Sequence, residues 1–228
     1  MVYFQLTPVP AKVQDRRGFV GGSPPLPVGS EWPTCRMCGS DLVHFVDIEL
    51  PGESGPFKTG SRLQVFACRE HDDIAGTIYS DYQQFDSAAR KPRLPENYWN
   101  ISDGHYLLRL LPPGGSADSV RLETRLTLQN LQTERKEEAS EPSVCFKLFG
   151  QPSWAQEPED HLCCCGSPMQ LLLQIPDGTG FDMAPGAVEQ PNSFSSRQYC
   201  LFLGNELYLL ACTRQCHPQA LWPVLQHS

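Results

Sequence analysis

Apolar residues occur along this chain in short runs, and within the runs they alternate with polar positions more often than they recur at helical spacing. Successive side chains on a strand point to opposite faces, so alternation marks a strand with one buried face; a helix returns its apolar face every three or four residues. On this basis a strand is predicted over Val2–Leu6. DLVHFVDIEL (41–50) and SRLQVFAC (61–68) form two more, and the loop PGESGPFKTGS between them makes a hairpin the natural reading. HYLLRLLP (105–112) and SVRLETRLTLQ (119–129) also read as strands, the second with Val120, Leu122, Leu126 and Leu128 interleaved with polar residues. Segment 19–34, FVGGSPPLPVGSEWPT, is too rich in Gly and Pro for regular structure. QTERKEEASEP (132–142) reads as a solvated loop or short helix because charge dominates it. Residues 75–103 carry aromatics without a clear period.

Several stretches then recur in order. Gly22 and Pro24 are answered by Gly150 and Pro152, Cys38-Gly39 by Cys165-Gly166, Asp47-Ile48 by Gln174-Ile175, and Phe66-Ala67-Cys68 by Leu210-Ala211-Cys212. Ordered matches in one register read as an internal duplication. The expected fold is therefore α+β and β-rich, built of two pseudo-equivalent repeated halves with zinc-ribbon-like knuckles. Residues 1–103 form the N-terminal repeat and 104–228 the C-terminal repeat, the two packed together because neither alone has much core.

Composition sharpens this picture. With 21 prolines and 18 glycines in 228 residues, turns and short strands are favoured over long helices. The net charge of −8 argues against nucleic acid, which needs clustered Lys and Arg to displace counterions. It is compatible with a basic protein partner, although an acidic surface is also what keeps a soluble protein soluble. The start MVYFQLTPVPAKVQDRRGF lacks the pattern of a signal peptide, and no stretch approaches the ~20 apolar residues of a membrane helix. The expectation is a cytoplasmic protein without membrane association. Disulfides are rare in that compartment, so closely paired cysteines point to metal.

The strongest local signal is Cys35-x2-Cys38-Gly39: two thiols two residues apart, in a turn opened by Gly, can face one ion. Cys68-x2-His71, at the end of the strand paired with the one after the knuckle, completes a four-ligand set. His71 is its weakest member, and His44 is an alternative. The second half holds Cys163, Cys164 and Cys165, then Cys212, Cys216 and His217. Leu162, at the spacing of a second knuckle ligand before Cys165, cannot ligate, so Cys163 substitutes for it. Cys165 and Cys212 join it, and Cys216 or His217 completes the set. The alternative is a degenerate site whose thiols merely pack. Thiolate-rich closed sites are structural, whereas catalytic zinc keeps an open position. The expected cofactor is structural zinc, one or two ions.

Other chemistry is hard to find. The chain has no phosphate loop, dinucleotide fingerprint, His-Glu-x-x-His or Gly-x-Ser-x-Gly. Asp72-Asp73 and Glu157, Glu159 and Asp160 read as solvated loop residues, His105 and His161 as surface histidines. Cys145 and Cys200 read as small buried hydrophobes, and the four tryptophans as core or interface anchors.

GGSPPLPVGSEWP followed by CRMCGSDLVHFVDIEL resembles the YwqG-like family of bacterial proteins, and FGQPSWAQ followed by GSPMQLLLQIPDG resembles that family's second-half signature. The resemblance covers residues 19–75 and 145–218, with Asp47 where the family usually has Gln and an irregular Cys163–Cys165 cluster. The knuckle before the strand is also similar to the eukaryotic programmed-cell-death-2 relatives. The resemblance implies a two-fold repeated, β-rich α+β fold with no established catalytic residues. It further implies either an immunity role against a toxin, as near some bacterial members, or chaperoning of a ribosomal protein, as in the eukaryotic relatives. The expected function is a non-enzymatic, zinc-stabilised protein-binding protein with a basic protein partner (toxin or ribosomal protein); an unrecognised enzyme is the remaining alternative.

Overall fold

The computed structural model describes residues 1–53, 55–73, 84–101, 104–115 and 121–227. Fourteen strands fall within them: β1 Val2–Pro10, β2 Gly18–Val20, β3 Val43–Glu49, β4 Arg62–Ala67, β5 Gln84–Asp86, β6 Lys91–Arg93, β7 Tyr106–Leu111, β8 Gln129–Glu137, β9 Lys147–Phe149, β10 Met169–Ile175, β11 Gly180–Asp182, β12 Gln198–Cys200, β13 Glu206–Cys212 and β14 Leu221–Gln226. Ten of them form one antiparallel sheet in the order β14-β13-β10-β9-β1-β8-β2-β3-β4-β7. Its two ends approach each other, since Leu110 of β7 donates its N–H to Pro218 O, just ahead of β14, at 2.7 Å. Two small ribbons, β5-β6 and β11-β12, stand apart from the sheet.

The expected α+β class is corrected to all-β. Among the described residues the helical segments are single 3-10 turns at Tyr98–Asn100 and Phe202–Gly204. The two repeated halves are corrected as well. β1 and β8, from opposite sides of the expected boundary at 103/104, pair along their whole length from Val2↔Glu137 to Pro10↔Gln129 in the middle of one sheet. β7, beyond that boundary, pairs with β4 before it. One large apolar cluster runs from Phe4 to Leu225. Of the matching stretches, Asp47-Ile48, Phe66-Ala67, Gln174-Ile175 and Leu210-Ala211-Cys212 lie in two hairpins, β3–β4 and β10–β13, and the matching knuckles precede them.

The β3–β4 hairpin is as expected, with a register irregularity between His44 and Val46. Nearly every residue of β3, β4, β10 and β13 is buried, on both faces. Such strands must satisfy their polar side chains internally. Asp47 of β3 accepts from Gln64 Nε2 at 2.6 Å and from Arg62. Gln174 of β10 donates to Glu206 Oε1 at 2.6 Å. The polar residue ahead of each isoleucine is thus one member of a buried hydrogen-bonded pair.

Two segment assignments reverse. The strand expected over 119–129 is absent over 121–128, apart from an isolated bridge at Leu126, and Leu122 is exposed; Val120 lies outside the described residues. The charged run at 132–142 instead supplies most of β8, with residues 132–135 and Glu137 exposed. Backbone pairing with β1, not an apolar face, makes this segment a strand.

Candidate metal centres

The first centre begins in a knuckle. Cys35 donates its N–H to Ser40 O at 2.8 Å, and Gly39 donates back to Cys35 O at 2.8 Å. Gly39 has φ +71°, a left-handed conformation that side chains disfavour. This tight return lets Cys35 and Cys38 face the same point. The β3–β4 hairpin brings Cys68, one residue past β4, opposite the knuckle, and His71 follows. Cys68 Sγ lies 3.5 Å from His71 Nδ1 and 3.8 Å from Cys38 Sγ, and Cys35 Sγ lies 3.8 Å from His71 Nδ1. A tetrahedral ion with bonds of about 2.0–2.3 Å separates neighbouring ligand atoms by roughly 3.5–3.8 Å. All four donor atoms lie within 4.8 Å of one another, so the group can hold a metal ion.

The surroundings hold the donors in place. Cys35 and Cys68 are buried in a small cluster with Leu26, Trp32, Leu42 and Phe66. Trp32 donates its indole N–H to Leu42 O at 2.8 Å, pinning the knuckle to the start of β3. Glu70 N–H donates to Cys68 Sγ at 3.4 Å. The thiols are pulled in opposite directions: hydrogen bonds from Ser40 hold exposed Cys38 down at about 6, while burial pushes Cys68 up to about 12. A cation held between them would let every sulfur ionise in so small a volume.

The second centre repeats the chemistry with four thiols. Cys163 N–H donates to Ser167 O at 2.9 Å, and Gly166 N–H donates to Cys163 O at 2.8 Å. This turn is one residue shorter than the first, so its two ligands are Cys163 and Cys165. Cys163 Sγ lies 3.5 Å from Cys216 Sγ, and Cys165 Sγ lies 3.5 Å from Cys212 Sγ. The four sulfurs lie within 4.8 Å of one another and form a second group able to hold a metal ion. The hydrogen bond with Cys163, together with burial, pushes Cys212 up to about 12; burial does the same to Cys216.

The open alternatives resolve on geometry. His44 is fully buried between Phe19 and Phe66, its Nδ1 2.7 Å from Gly21 O, and its ring stands outside the ligand group that contains His71. His217 stacks on Trp99 with ring centroids 4.2 Å apart and accepts the Gln219 N–H through Nδ1, leaving Cys216 as the fourth donor. Cys164 stays outside the group, although its sulfur lies 3.8 Å from that of Cys163.

Some expectations about neighbouring residues need revision. His161 is buried, with Nε2 2.9 Å from Glu159 Oε2, and is not a surface residue. Asp72 is buried too, accepting from Gln190 Nε2 at 3.0 Å and from the Leu203 N–H, so it braces a loop instead of meeting solvent. Cys200 is buried and Cys145 half-buried. Supporting residues without any sequence signal also emerge. Arg93 of β6 donates Nε to Cys164 O at 3.2 Å, Leu94 N–H donates to Leu162 O at 2.9 Å and Leu162 N–H to Pro92 O at 2.8 Å, so β6 clamps the second knuckle. Tyr98 Oη lies 3.8 Å from Cys163 Sγ.

Each group offers four protein donors, the number a tetrahedral ion takes. No helix among the described residues is long and apolar enough to cross a membrane. No protein-family model matches the chain, and no curated protein matches it significantly.

Proposed function

We propose that the chain is a non-enzymatic protein-binding protein whose shape is maintained by two structural zinc ions. The observation that carries this reading is the pair of closed donor sets, Cys35, Cys38, Cys68, His71 and Cys163, Cys165, Cys212, Cys216. Three thiols with an imidazole, or four thiols, are the donor sets of structural zinc, and their spacings suit a tetrahedral ion. Each set would tie the end of a core hairpin to a knuckle, so its contribution is to folding. Ten cysteines without a disulfide fit a reducing, cytoplasmic setting.

The binding role rests on the acidic balance, a net charge of −8, and on closed sites without a reactive position. A basic protein is the partner this favours, whether a toxin that the chain neutralises or a ribosomal protein that it chaperones. Affinity purification from the native host, followed by reconstitution with the purified partner, tests the reading. A stable complex with a basic protein, weakened by salt, supports it. Turnover of a small-molecule substrate abolished by a single substitution would replace it with an enzyme.

A further inference from the structure

β8 is paired on one edge only for most of its length. β1 covers it from Gln129 to Glu137, whereas β2 on the other side reaches only Gln129 and Asn130. Ala11 N–H donates to Leu128 O, and Glu138 N–H to Met1 O, so even-numbered positions of this segment face β1. The odd positions Thr133, Arg135 and Glu137 therefore turn their N–H and C=O groups outward, and no backbone hydrogen bond among the described residues reaches them there.

Beside this edge lies a strand-sized slot. β2 fills the space between β8 and β3, then the chain turns away: Asp15 N–H donates to Asn130 Oδ1 at 2.8 Å and Arg17 N–H to Asp15 Oδ1 at 2.9 Å. Beyond β2 lies a hollow of about 610 Å³ lined by Asn130, Leu131 and Thr133, by Glu49, Leu50 and Pro51, and by Asp15 and Arg17. The open edge of β1 is managed differently. Leu6 donates to Phe146 O, so Pro8 and Pro10 face that same side and offer no donor. β8 has no proline.

The edge leads toward an acidic hollow. Arg135 Nε donates to Glu53 at 2.7 Å, and Glu53 lines a second hollow of about 480 Å³ with Glu159, Asp160, Trp154, Met169 and Leu171. Its lining contains three carboxylates; from outside the lining Arg135 pairs with Glu53, Lys91 lies 3.2 Å from Asp160 and His161 2.9 Å from Glu159. Resting on the protein-binding reading above, we propose that an extended partner segment alternating apolar residues with Lys or Arg docks as an added strand on β8. Its backbone pairs with Thr133, Arg135 and Glu137, and a cationic side chain reaches the acid-lined hollow.

The test uses the full chain with metal bound and the peptide acetyl-Lys-Val-Lys-Val-Lys-Val-Lys-amide, with its Glu-for-Lys counterpart as control. Thr133→Pro deletes one outward N–H without touching the β1 ladder, whereas Thr133→Ala keeps it. The lysine peptide is expected to slow amide exchange at Thr133, Arg135 and Glu137. Its Kd should rise about tenfold in Thr133→Pro and stay within about twofold in Thr133→Ala. Glu137→Pro replaces Thr133→Pro if that variant melts non-cooperatively. Absence of lysine-peptide binding, equal binding by the proline variant, or equal binding of the glutamate peptide overturns the proposal. So does self-association of the chain that the proline variant abolishes, because the edge then belongs to a second copy. A purified partner bound equally by both forms would end the added strand while leaving the protein-binding reading intact.

Discussion

The sulfurs of Cys165 and Cys212 lie 3.5 Å apart although 47 residues separate them in the chain. One belongs to a turn and the other ends a core strand, so the contact fixes a loop to the sheet. Cys38 and Cys68 stand in the same relation, at 3.8 Å across 30 residues. A metal ion at each centre would staple a knuckle to a hairpin, and the two hairpins lie on opposite sides of the β1–β8 pair.

The two centres share no ligand, so they are expected to fail separately. Cys68→Ser and Cys212→Ser should each retain one ion, and the double variant none. Each single variant should lose about 3 kcal/mol or more, lowering Tm by roughly 6–12 °C for a chain of this size. Metal analysis alongside calorimetry checks this; a single substitution that empties both sites would show them to be one cooperative unit.

Arg93 offers a test of the second knuckle's support. Its guanidinium holds Cys164 O without touching the ligand sulfurs. Arg93→Ala should weaken metal binding at the second centre about tenfold, in line with other residues that orient ligands from behind, and leave the first unchanged. Competition with a chromophoric chelator measures both affinities; equal loss at both would assign Arg93 to general stability.

His44 and Asp47 on β3 give opposing acid responses. Burial lowers His44 from 6.5 to about 4, so the neutral ring's contribution is full above 6.5 and is lost as pH falls toward 4. Burial raises Asp47 from 3.8 to about 6, so its contribution is full below 3.8 and is lost as pH rises through 6. The His44 shift corresponds to about 3 kcal/mol at most. Relative to wild type, His44→Gln should gain stability steadily as pH falls from 6.5 to 4, read from denaturant melts across that range. A pH-independent difference would show that the ring does not titrate there.

Much of the candidate site was legible in the sequence because metal ligation imposes spacing. Cys35-x2-Cys38, Cys68-x2-His71 and the later cysteines read directly onto the two donor groups. The β3–β4 hairpin was legible because its strands are apolar and bounded by Gly and Pro. β8 was not: its exposed charged residues carry no strand period, and only its pairing with β1, more than a hundred residues away, makes it a strand. The single sheet was hidden for the same reason. Matching knuckles mark matching hairpins, whereas the central pair β1–β8 lies outside the matched stretches, β1 ahead of the first and β8 ahead of the second. Arg93 and Tyr98 were invisible because they support the knuckle through a carbonyl and a sulfur that only the folded chain brings near.

Whether metal holds the ten-stranded sheet at two places is tested most directly by native mass spectrometry of the intact protein. The expected spectrum is a folded species carrying two zinc ions, and full acidification or chelation removes both ions and the compact charge distribution. A compact species of the bare chain mass, unchanged by chelator, would contradict the account.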